Sequence, residues 1–253
     1  MLCIELTLIN PELLFMKNSI NKTARLAGIL YLVLIFVGIF AVLFVRDKLI
    51  VSGDVTATAN NIRNSQQLWR TGISADLLMH VLDLPIMLVV YMLLKPVNKN
   101  LALLALLFNL IQTSVLVANK LNLVAALLPL ESMDYLKTMD PHQQDLQVYL
   151  SLKLHDIGFG VGLIFFGFTC IVNGYLIFKS NFLPKTIGVL MQVAGVCYLV
   201  NNFSLILAPK FANMLFPLGM IPCLIAELSF CLWLILKGVN VARWEETAAY
   251  SAV

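Results

Sequence analysis

Three side chains in the stretch Asp76-Leu-Leu-Met-His80-Val-Leu-Asp83-Leu-Pro85 carry the strongest chemical signal in the chain. Positions 76, 80 and 83 are spaced i, i+4, i+7, so on a helix they share one face. The stretch lies inside an apolar run, where two carboxylates and an imidazole are costly. Insertion scales put one Asp near the centre of a membrane helix at about 3 kcal/mol. Such groups are expected to turn inward, to find partners, and to serve a cation, a metal or a proton-linked step. Pro85 removes a backbone donor two residues after Asp83 and invites a kink beside the stripe.

The chain that must position this stripe has 253 residues, of which 60% are hydrophobic and 12% charged. Soluble domains average about 25% charged. The expected class is therefore all-α: a polytopic bundle with no room for a sizeable soluble domain. The net charge is only +3 and the basic residues are scattered, which excludes a nucleic-acid partner. The lipid bilayer is the expected partner. Of the five cysteines, all but Cys3 fall in apolar runs, and no CxxC pair exists. They read as small packing residues.

Six apolar runs of sufficient length are predicted, at about 24–45, 73–94, 101–128, 154–178, 183–208 and 213–236. They form a single domain over 16–240, followed by a cytoplasmic tail at 241–253. Met16-Lys17-Asn18, with Lys22 and Arg25, has the form of a chain start. Residues 1–15 are therefore expected to be a dispensable or disordered tail. Six spans put both termini on one side. That side carries nine basic residues, mostly in short loops such as 95–100 and 179–185; the other carries seven, with six acids beside them. The positive-inside rule then places both termini in the cytoplasm, in a bacterial cytoplasmic (inner) membrane. In the long loop 46–72, Ser52-Gly53-Asp54 should turn the chain and cap a short helix over 55–64, with Trp69 at the interface. The loop reads more simply as an amphipathic segment resting on headgroups than as a lid. In the loop 129–153, Asp140-Pro141 is a helix start that could run into the fourth span.

Counting residues along the spans brings Asp76, Asn119, Lys120, Asn122, His155, Asp156, Asn201 and Asn202 to one depth near the outer surface, with His80 and Asp83 one and two turns deeper than Asp76. Glu227 is the exception, deeper in the sixth span. Lys120 is the natural counter-ion for Asp76, Asp83 or Asp156. Asn109, Gln112, Asn119 and Lys120 should face the Asp76–His80–Asp83 stripe. Three acids against one internal base leave an acidic, polar cavity in the outer half of the membrane. Its candidate ligand-binding residues are Asp76, His80, Asp83, Asn119, Lys120, Asn122, His155, Asp156 and Asn202. Gly158 and Gly162, with glycines every seven residues from Gly160 to Gly174 and again at Gly188 and Gly195, predict close helix packing. Gln112, Asn122 and Pro129 recur 80 residues later as Gln192, Asn202 and Pro209, suggesting a parallel repeat of two-helix hairpins.

Several motifs together resemble an uncharacterised bacterial multi-span membrane family, domain of unknown function 4386. They are Arg46-Asp-Lys-Leu-Ile-Val-Ser-Gly53-Asp54, Thr58-Ala-Asn-Asn-Ile62, Ala75-Asp76-Leu-Leu, Lys95-Pro96-Val-Asn98-Lys-Asn100 and Phe165-Phe166-Gly167. The resemblance covers about residues 22–236. It implies a multi-span membrane protein and no particular activity, so no catalytic residue is carried over.

Three functions fit these residues. The first is binding or transport of a small cationic or polar ligand, or a lipid, in the cavity. The second is a membrane-embedded metal hydrolase, with His80, Asp83, His155 and Asp156 as candidate ligands for a divalent metal. No HExxH motif accompanies them. The third is a structural or accessory role, with the polar groups acting as glue between helices.

Overall fold

A computed structural model describes residues 11–131 and 139–250. The tail expected at 1–15 lies outside the described residues as far as residue 10, as do Cys3, Asp134, Lys137 and residues 251–253; from Pro11 the chain is helical. Among the described residues all regular structure is helical. The order is α1 (Pro11–Ile39), a π turn (Phe40–Arg46), α2 (Asp47–Leu49), α3 (Val55–Asn64), α4 (Gln66–Leu94), α5 (Lys99–Ala125), a 3-10 turn (Leu128–Leu130), α6 (Pro141–Lys179), α7 (Lys185–Leu207), α8 (Pro209–Leu236) and α9 (Val241–Tyr250). Six helices are long and apolar enough to cross a membrane, as the hydropathy of the sequence requires. The protein is a multi-pass membrane protein.

Both predicted caps are present. The Asp54 side chain accepts from Ala57 N at 2.8 Å, and Asp140 accepts from His142 N at 2.8 Å with Pro141 at the first helical position. The second cap starts a 39-residue helix that includes the whole fourth span.

The long helices pack in a ring. α1 lies against α4, α4 against α5, α5 against α6, α6 against α7, α7 against α8, and α8 closes on α1. One end gathers Asn21 of α1, α9 and the short loops. There Val239 N donates to Asn21 Oδ1 at 3.2 Å, Asn240 N to Phe182 O at 3.1 Å, and Trp244 Nε1 to Leu93 O at 2.9 Å. Gly238 makes the turn that brings α9 back across this end. Its φ is +67°, and a Cβ there would sit 1.8 Å from Asn21 Oδ1.

The opposite end is capped. α3 packs on α6, and Ala59 and Ile62 join a second apolar core with Val45, Leu49, Trp69, Leu127 and Val148. Arg63 pins this cap to Asp145 of α6 at 3.0 Å. The apolar side of the segment 46–72 is therefore turned onto the bundle, against the ends of α5 and α6. Trp69 is likewise buried in that core, donating to Leu123 O at 3.0 Å, and is not an interface residue.

The glycine pattern marks where α6 and α7 touch backbone to backbone. A Cβ on Gly174 would lie 2.6 Å from Gly188 O. Only glycine permits that approach, which supplies close dispersion contact in lipid. Gly174→Ala is expected to cost about 1–3 kcal/mol by forcing the helices apart. Val189→Ala, on the outward side of α7, should change little. Thermal unfolding of both variants in detergent checks this, and equal midpoints would refute it.

Candidate functional site

Asp76 of α4 is the hub of a charge cluster near the capped end. It is only 1% exposed. Its Oδ2 accepts from Arg46 Nη1 and lies 3.2 Å from Lys120 Nζ. Lys120 pairs with an acid as expected. Arg46 is the member that sequence reasoning missed, because it follows the first apolar run and reads as a loop residue. The π turn ends on Arg46. Each extra residue wound into a helix turns its face by about 100°, and such turns recur at functional sites. A helix that reaches Arg46 still wound can aim it at α4. The signal available was depth: Arg46 ends one span at the level where Asp76 enters the next.

The remaining groups divide into three sets. On α6, His155 is buried, stacked on Phe159 at 6.1 Å between ring centres, and Lys120 Nζ sits 5.7 Å from the same ring. Asn119 donates to His155 O at 2.9 Å, and Asn122 donates to Asn119 Oδ1 at 2.9 Å.

Asp156 turns outward from them. One residue beyond His155 the helix has turned by about 100°, and the Asp156 side chain is 60% exposed, 3.6 Å from Lys153 and meeting the set only at His155 Nδ1, 3.9 Å away. Asn202 does not join them. It donates to Tyr198 O of its own helix at 2.8 Å and abuts Gly160, so it serves the α6–α7 contact. The amides that suggested a repeat thus have different roles: Asn122 bonds to Asn119, and Asn202 to its own backbone.

Deeper in the ring lies a cavity of about 210 Å³ to which all six long helices contribute. Along α4 it runs from Met79 to Tyr91, and along α5 from Ala102 to Leu116. It therefore occupies the middle of the bundle and the half nearer the short loops, whereas the expectation placed it at the opposite level. The reason is that Arg46, Lys120 and the apolar core under α3 fill the capped end. His80 and Asp83 line the cavity, with Asn109 and Gln112 on its α5 wall. Asp83 accepts from Thr113 Oγ1 and, at 3.5 Å, from Asn109 Nδ2. The second carboxylate is Glu227 of α8, which also lines the cavity. It accepts from Tyr31 OH at 3.0 Å and from Tyr198 OH. Among the described residues neither carboxylate has a Lys or Arg within ion-pair distance.

This charge distribution corrects the acid excess expected at Asp76. There, two cations meet one carboxylate, and Asp156 has left the cluster. The excess acid sits in the cavity below, at Asp83 and Glu227. Buried atoms without a hydrogen-bond partner occur in both regions: Asp76 Oδ1, Lys120 Nζ and His155 Nε2 at the cluster, and His80 Nε2 and Asn109 Oδ1 on the cavity wall. The metal set does not assemble. Among the described residues no three His, Cys, Asp or Glu side chains are grouped to hold an ion: His80 and Asp83 line the cavity, and His155 and Asp156 do not.

The model of the family described as Domain of unknown function (DUF4386) matches residues 26–238. An uncharacterized protein of Archaeoglobus fulgidus is 26% identical over 163 residues, covering 64% of this chain and 81% of that protein. No solved structure matches. The chain belongs to the DUF4386 family.

Proposed function

We propose that this protein binds or transports a small cationic or polar ligand in the cavity enclosed by its six long helices. The observation that carries the reading is the pair Asp83 and Glu227, both lining one cavity and both without a basic partner. Hydroxyl and amide donors orient these carboxyls but do not neutralise them. An uncompensated carboxylate at membrane depth costs about 3 kcal/mol on insertion scales. A cation entering the cavity removes that cost, and an anion adds to it. The cap formed by α3 and the Arg46–Asp76–Lys120 cluster close one end of the ring.

The experiment is thermal unfolding of the detergent-solubilised protein against a panel of inorganic and organic cations. At least one should raise the midpoint in the unmodified chain and not in Asp83→Asn or Glu227→Gln. A panel in which no cation acts, or in which the variants respond as the unmodified chain does, would refute the reading.

The membrane is the cytoplasmic (inner) membrane of a bacterial cell, with both termini and the loops around Asn98 and Asn181 in the cytoplasm. The short basic loops support this orientation. Asn60 and Asn98 are both exposed. Cysteine substituted at 60 should react with an impermeant reagent added to intact cells, and cysteine at 98 should not. The reverse pattern would invert the topology.

A further inference from the structure

Resting on the cationic reading above, we infer that the ligand is an organic cation with an apolar body: an ammonium group carried on an aromatic or branched aliphatic frame. The walls of the cavity decide between this and an inorganic ion. Two carboxylates supply its negative charge, and much of the rest is ring face and hydrocarbon. Phe166 and Tyr198 meet edge to face at 5.2 Å, and Phe159 and Phe230 add further rings.

Calcium takes six to eight oxygen ligands, and magnesium keeps a tightly ordered shell. Aromatic and aliphatic walls cannot replace such a shell. The volume of about 210 Å³ is also far more than a bare ion fills. An ammonium, by contrast, donates to Asp83 or Glu227 while its frame packs against the rings, and a cation held over an aromatic face gains a further attraction. Two features argue against a zwitterion. The basic side chains of the neighbouring cluster are already turned on Asp76, and the cavity-lining His80 is the nearest nitrogen base. The cavity therefore has no cationic group ready to hold a second, negative end of a zwitterion.

The test is titration calorimetry of the full chain in lipid nanodiscs with three probes: phenethylammonium chloride, its neutral isostere 2-phenylethanol, and potassium chloride. Saturable one-to-one binding of phenethylammonium, at least tenfold tighter than either of the others, is the expected result. Asp83→Asn and Glu227→Gln should each weaken it at least tenfold, with the unliganded melting temperature as the control for folding. The comparison of probes on the unmodified chain decides without any variant. If potassium binds and phenethylammonium does not compete with it, the organic class is overturned while the cationic reading stands. If 2-phenylethanol binds as tightly as the amine, or nothing binds, both fall.

Discussion

Asp76→Ala should be the most damaging single change in the bundle, with a loss of about 3–5 kcal/mol. It strands two buried cations at once, since Arg46 and Lys120 share the same carboxylate oxygen. Neither can reach water at little cost: the Lys120 side chain is 3% exposed and that of Arg46 15%. Lys120→Met should be far milder, because Arg46 still holds Asp76. That asymmetry distinguishes this arrangement from a simple Lys–Asp pair, in which either truncation leaves a lone charge. Adding Lys120→Met to Asp76→Ala should recover part of the loss, with a coupling of about 1 kcal/mol or more. Equilibrium unfolding in mixed micelles, as a double-mutant cycle, provides the measurement. Equal losses for the two single variants would show that Arg46 does not share the carboxylate.

The second large effect is expected at the cap. Trp69→Ala should cost about 3–5 kcal/mol, the range for deleting a fully buried aromatic ring. The indole is 1% exposed, packs among the apolar residues under α3, and bonds to Leu123 O. Trp69→Phe keeps most of the packing and should lose about 1 kcal/mol for the bond. Circular dichroism during chemical unfolding follows both without relying on the removed fluorophore. A loss below about 1 kcal/mol for Trp69→Ala would mean that the segment with α3 floats on the bundle instead of sealing it.

How much could be read beforehand differs by level. The six long helices and the α3 and α6 caps follow from hydropathy and from Asp54 and Asp140, which act within a few residues of where they stand. The i, i+4, i+7 stripe was also legible, and so was the Lys120–Asp76 match in depth. What depth cannot give is direction around each helix. Asp156 has the right level and the wrong azimuth, one residue past His155. Arg46 depends on a π turn that has no residue signature. Glu227 looked isolated because its partners are hydroxyls: Tyr31 and Tyr198 carry no charge and read as ordinary aromatic residues of apolar spans. The ring is what turns Glu227 toward Asp83, and ring closure between the first and last spans is a long-range fact that no local pattern records.

That closure also orders events during synthesis. The chain emerges from its amino end, so the seam between α8 and α1 can form only once α8 has been made. Lys120 is made when Arg46 and Asp76 are already present, and Glu227 when Tyr31 and Tyr198 are. Asp83 waits for Thr113 and Asn109 on the next helix, one hairpin later. Each costly group thus meets its partner within a hairpin of its own arrival. A nascent chain stalled before α8 would be an open crescent, its acidic interior facing lipid or the insertion machinery. The last span is then the maturation step: it delivers the second carboxylate and seals the wall in a single insertion.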